Sequence, residues 1–196
     1  MALALTLALD PSWKNRAVSP EDALACIASQ QRIFVQGAAA TPTTLLEALC
    51  LRRDLEGVRL YHLHTAEPGH FADPEHAGRF RSISLFTGPP LREAIAAGRA
   101  DFIPIFLSDI PGLFTSGRIP LDVAVVQLSP PDAHGNCTLG TSVDAARAAV
   151  DSARFVVAEI NEQMPRTHGN TAVRLDSLHA FTLTNRPIHA AEASAA

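Results

Sequence analysis

Apolar residues gather along this chain in short, nearly unbroken blocks. RIFVQ (Arg32 to Gln36), VRLYHLHT (Val58 to Thr65), DVAVVQL (Asp122 to Leu128) and FVVAEI (Phe155 to Ile160) are rich in β-branched residues and end at Gly, Pro or polar positions. Such blocks read as strands covered on both faces, the habit of parallel sheets. Shorter blocks at Arg81 to Phe86, Asp101 to Phe106 and Ser177 to Thr182 add strands, and Pro104 pushes the second of these toward a sheet edge.

Between the strands the spacing turns helical. Ser19-Pro20-Glu21-Asp22 sets a capping serine before proline with acids in the first turn, which predicts a helix over Pro20 to Ser29 packed through Ala23, Leu24 and Ile27. Further helices are predicted over Pro42 to Arg53, Pro90 to Gly98, Gly112 to Thr115 and Val143 to Ala153. Strands alternating with helices at this interval give an α/β fold, an open, mostly parallel sheet flanked by helices with right-handed crossovers. Two parallel strands joined by a helix leave both carboxyl-end loops on one sheet edge, where open α/β folds bind ligands. The loops Ser129 to Gly140 and Asn161 to Gly169 are therefore expected to face one site, the first holding its shape without contributing to the core.

With 196 residues, 47% of them apolar and 18% charged, the chain buries one sizeable core. The reading is one domain over 1–188 and a tail or interdomain linker over 189–196. A net charge of −4 and no basic run argue against a nucleic-acid partner. Cys26, Cys50 and Cys137 are odd in number and form no CxxC, so a reducing, cytoplasmic setting is expected. Met1 to Leu9 is apolar without a basic start and reads as a terminal strand or helix turn; nothing reaches membrane-spanning length.

The chemistry gathers in loops. After the first strand, Gly37-Ala38-Ala39-Ala40-Thr41-Pro42 carries small side chains before a helix start, the form of an anion or oxyanion cradle and also of a plain tight turn. His62, His64, His70, Asp73, Glu75 and His76 are residue types that ligate metals, with His62 and His64 on one strand face, but the turns around them lack ligand spacing, so they read as histidines on a solvated loop. Ser129, Asp132 and His134 share one loop and no GxSxG elbow precedes them, which speaks against a hydrolase triad. Arg166, on a proline-stiffened turn, offers a guanidinium suited to a carboxylate or phosphate.

VQGAAATPTTLLEAL (Val35 to Leu49), the region from Gly88 to Phe114, DVAVVQLSPPDAHGNCTLGTSVD (Asp122 to Asp144) and INEQMPRTHG (Ile160 to Gly169) together resemble the N-terminal domain of the acetyl-CoA hydrolase/transferase family. The resemblance runs from about Ser19 to Pro187. It implies a CoA-transferase-like tandem of two α/β domains with the active site between them, moving CoA between an acyl-CoA and a small carboxylate such as acetate, or hydrolysing acetyl-CoA. No permanently bound cofactor or metal is implied; coenzyme A is a substrate. The nucleophilic glutamate belongs to the C-terminal domain, so no catalytic residue is expected here, and a C-terminal domain or subunit is the implied partner, with homo-oligomer formation through exposed apolar surface. The matching loops assign substrate contacts to Gln36, Gly37, Ala38, Ser129, Asp132, Asn161 and Arg166, with Gln36, Gly37, Asn161 and Arg166 foremost. A non-catalytic acyl-CoA or carboxylate-binding or assembly module is the alternative, and a sugar-phosphate isomerase-like enzyme a third reading, since fold alone does not fix function.

Overall fold

The computed structural model describes residues 9–66, 70–88 and 91–190; the expected element at the amino terminus and most of the tail lie outside them. Seven strands form one wholly parallel sheet: β1 (Arg32–Val35), β2 (Val58–His62), β3 (Phe80–Ser84), β4 (Ala100–Phe102), β5 (Val123–Leu128), β7 (Phe155–Asn161) and β9 (Ala180–Thr184), in the order β4-β3-β2-β1-β5-β7-β9. β4 lies at the edge, as Pro104 leads one to expect. A separate antiparallel ribbon pairs β6 (Asn136–Thr138) with β8 (Ala172–Arg174).

Alternating side chains along each strand feed two cores. On one face Ile33, Val35, Val123, Val125 and Val157 pack with Leu45 and Leu49 of α2 (Thr43–Leu51) and with Ala23 of α1 (Pro20–Ala23). On the other, Phe34, Ala124, Val126 and Leu128 meet α4 (Ile110–Thr115) and α5 (Ala146–Ser152) through Ile110, Phe114, Ala146 and Ala149. Each fully buried Leu, Val or Phe contributes roughly 1.5–3 kcal/mol of transfer free energy. α3 (Arg92–Ala96) precedes the edge strand and stops at Gly98, whose φ of +71° suits the residue after a helix.

α1 is shorter than predicted. Residues 24–26 form a turn, yet Leu24 and Ile27 are buried as expected, because a turn carries them onto the same core. The stretch Ala66 to Gly78 includes two 3-10 turns, His70–Ala72 and Pro74–His76.

The topology fixes the place of the site. From β1 the chain crosses on the α2 face toward β2, whereas from β5 it crosses on the α5 face toward β7. Strand order therefore reverses between β1 and β5, and their diverging loops open a crevice beyond their carboxyl ends.

Candidate functional site

The loops after β1, β5 and β7 leave three neighbouring strands at one sheet edge, so the two polar loops expected to share a site do so and the small-residue loop joins them. What holds them together is a ladder of buried amides. Gln36 Nε2 donates to the carbonyls of Leu139 (3.0 Å) and Ser142 (2.7 Å), and its Oε1 accepts from the Gln127 amide (2.8 Å). Gln127 Nε2 donates to the Thr41 carbonyl (2.8 Å), while its Oε1 accepts from Asn161 Nδ2 (3.0 Å). Asn161 Nδ2 also donates to the Arg186 carbonyl (2.9 Å), and Asn161 Oδ1 accepts from the amides of Gln163 and Arg186.

All three amides are 0% exposed. Gln36 and Asn161, assigned to substrate by the family resemblance, thus spend every side-chain N–H on other parts of this chain and act by placing loops. Gln127 was missed, although a lone polar residue inside VAVVQL signals a buried hydrogen-bonding duty.

The cradle before α2 exists, and the chain fills it. Glu159, 0% exposed on β7, places Oε2 3.1 Å from the Thr44 amide in the first turn of α2, and Oε1 2.7 Å from Arg186 Nε and 3.1 Å from Thr184 Oγ1. The helix amino end has its anion already. At Gly37 the room left by the missing side chain is taken by the exit of β2, since an added Cβ would stand 2.1 Å from the His64 carbonyl oxygen. Ala38, at φ +51°, donates its amide to that same carbonyl at 2.8 Å. Gly37→Ala is accordingly expected to destabilise the chain by about 1–3 kcal/mol by forcing the backbone apart; a denaturation midpoint equal to wild type would show that β2 yields without cost.

The second and third loops are knotted to each other. Ser129 is buried, its Oγ 3.0 Å from both the amide and the hydroxyl of Thr138, so it is not presented as a nucleophile. Asp132 Oδ1 accepts from the amides of His134 and Asn136, and Oδ2 lies 2.7 Å from an Arg166 guanidinium nitrogen. Burial raises the Asp132 pKa, but those amides and the Arg166 charge outweigh it and hold the carboxyl below its ordinary value. Arg166 also donates to the Asn136 carbonyl at 2.8 Å. The carboxylate that its fork was expected to hold is Asp132, within the same chain. The loop also contributes to the core, against expectation: Cys137 and Leu139 are fully buried, because the β6–β8 ribbon turns them inward.

Asp144, two residues before α5, adopts φ +25°. Burial lifts its pKa, opposed by the amides of Ala145 and Ala146 and by His64. The histidines of the sequence do not converge; among the described residues no group of three or more His, Cys, Asp or Glu is placed to hold a metal ion. A cavity of about 600 Å³ lies beyond Thr41 against α2, walled by Leu46, Cys50, Phe71, His76 and Arg79, and none of the residues assigned to substrate contact lines it. Burial pushes the Cys50 thiol up to about 11, which keeps it an inert wall residue.

A parallel sheet with a switch-point crevice walled by three loops is an α/β fold of the kind that binds ligands at that edge. Comparison with known proteins agrees with that class. The family model for the acetyl-CoA hydrolase/transferase N-terminal domain matches residues 8–185, and the chain belongs to this family. It is 40% identical over 182 residues to a succinyl-CoA:acetate/propanoyl-CoA:succinate CoA transferase of Fasciola hepatica, covering 91% of this chain and 37% of that protein. It is 33% identical over 177 residues to a 4-hydroxybutyrate coenzyme A transferase of Clostridium kluyveri, covering 90% and 41%. A crystal structure of RipA from Yersinia pestis superposes with a TM-score of 0.85 at 26% identity, over 94% of this chain and 46% of that one. The chain thus spans about two fifths of the length of these curated relatives. No described helix is long and apolar enough to cross a membrane.

Proposed function

We propose that this chain forms one wall of the active site of a CoA-transferase, which exchanges the CoA thioester of an acyl-CoA for the carboxylate of a small acid such as acetate. The attacking carboxylate comes from a C-terminal domain or subunit that closes over the crevice, and coenzyme A passes through as substrate. The observation that carries this reading is the meeting of three family-matching loops at one switch point. In support, Glu159, a carboxylate inside that wall, is locked by Arg186 and Thr44 and has no path to a thioester. Gly37, Ala38, Asp132 and Arg166 shape the wall, Gln36, Ser129 and Asn161 hold it in register from behind, and the exposed rim of the crevice meets substrate.

Large apolar side chains stand exposed at one corner of the same edge. They are Phe86 beyond β3, Phe102 at the end of β4, and Phe106 and Leu107 in the turn that follows. A cluster of that kind suits a covering partner, either the C-terminal half or a second copy.

The test is co-expression with a candidate C-terminal half, followed by an acetate-dependent CoA-exchange assay. This chain alone is expected to show no exchange and the pair to show it. Exchange by this chain alone, or none from a folded pair, would remove the proposal. Hydrolysis without acetate dependence would turn it toward a thioesterase.

A further inference from the structure

Among the described residues, three buried side-chain nitrogen or oxygen atoms find no hydrogen-bond partner, and all three fall within four residues at the exit of β2: His62 Nδ1, His64 Nδ1 and Thr65 Oγ1. Thr65 is only 5% exposed and His62 0%. Each buried polar atom left unpaired costs stability, so native chains keep few and seldom cluster them. Elsewhere along this edge the polar side chains are paired, as the amide ladder shows.

The same spot carries backbone strain. Ala38 adopts φ +51° and bridges to Thr65, a conformation that a residue with a Cβ holds only when its surroundings impose it. β2 lies beside β1 on the side away from β5, so this exit borders the crevice loop Gly37 to Thr41. Phe86 stands edge-on to the His64 ring, with centroids 5.7 Å apart, and adds an apolar flank.

We propose that the exit of β2 is a polar niche that seats the oxygen-bearing head of the small acid, with His64 and Thr65 as specificity-determining residues. This rests on the reading of the chain as one wall of a CoA-transferase. A hydroxyl both donates and accepts, and an imidazole nitrogen does one or the other according to its proton, so the niche matches the oxygens of a carboxyl group. His62, deeper in the sheet, is already joined to Ser82 Oγ at 2.9 Å through Nε2.

Thr65→Val removes the hydroxyl at nearly constant volume, and His64→Phe removes the ring nitrogens while keeping the stack on Phe86. In the assembled enzyme each is expected to raise the half-saturating concentration of acetate about tenfold, the worth of one or two buried hydrogen bonds, with kcat within about twofold. The 196-residue chain carrying Thr65→Val should melt no lower than wild type, because an unpaired hydroxyl holds nothing in place. A half-saturating concentration unchanged in both variants overturns the proposal, as does a clearly lowered melting temperature for Thr65→Val.

The niche is read apart from turnover by titrating the 196-residue chain with acetate while following the imidazole ¹⁵N signals of His64. A saturable shift in wild type that Thr65→Val abolishes supports the niche even if no exchange activity is found. No shift means that the three atoms bind water alone, and the proposal falls even if exchange proceeds.

Discussion

Replacing Arg186 by alanine is expected to cost roughly 3–5 kcal/mol, a large part of the stability of a domain this size. The reason is burial: Glu159 is 0% exposed, and the guanidinium 2.7 Å away carries the positive charge that matches it. With Arg186 gone, the Thr44 amide and the Thr184 hydroxyl remain, too little for a carboxylate in a low-dielectric site. Arg186 also donates to the Thr41 carbonyl at 2.9 Å, so its loss frees the loop before α2 as well. Urea denaturation of Arg186→Ala measures the cost. The double variant Glu159→Gln with Arg186→Met should recover most of it, because neither residue then leaves a bare charge inside. A single-variant loss below about 1 kcal/mol would mean that water reaches the pair and that it is idle.

Acidification should give the second large effect. Burial lowers the His62 pKa from its ordinary value to about 4, with the Leu63 backbone opposing and His64 adding to the shift. The folded state keeps this ring neutral, whereas the unfolded chain takes up the proton near the ordinary histidine value. Stability from this group is therefore complete above about pH 6.5 and is lost as pH falls toward 4, by on the order of 3 kcal/mol. His76 is lowered in the same direction, by burial and then by Arg79, and shares the window. Comparing His62→Gln with wild type between pH 7 and pH 4 isolates the His62 share, and the variant's stability curve should be distinctly flatter. Equal slopes in the two proteins would show that His62 takes up its proton in the fold as readily as in the unfolded chain.

Much of the architecture could be read from residue pattern alone, because strands buried on both faces print themselves as unbroken apolar runs. VAVVQL and FVVAEI mark β5 and β7, and the serine-proline-acid signature marks α1. The family-matching loops and the topology meet at the crevice between β1 and β5. The β6–β8 ribbon was not readable, since NCT and AVR are too short for any period to show. The last strand, expected at Ser177 to Thr182, lies at Ala180–Thr184 because Leu175–Ser177 closes a 3-10 turn first.

The division of labour among the crevice loops was hidden for a different reason. The family resemblance assigns Gln36, Asn161 and Arg166 to substrate, but only three-dimensional pairing shows that they bind one another's loops and Asp132. The usable clues were polar letters inside apolar strands, Gln127 and Glu159, and the histidines at the end of β2.

The amide ladder has a consequence for how such a crevice can change. Gln36 directly follows β1, and Gln127 and Asn161 sit on β5 and β7, strands whose separation is set by backbone pairing at about 4.8 Å, so each link has a fixed length and no slack to trade. Altering one rung strands its neighbours. Drift in what the crevice admits is thereby channelled to the free rims of the loops and to whatever surface closes over them, while the scaffold beneath behaves as a template of constant gauge.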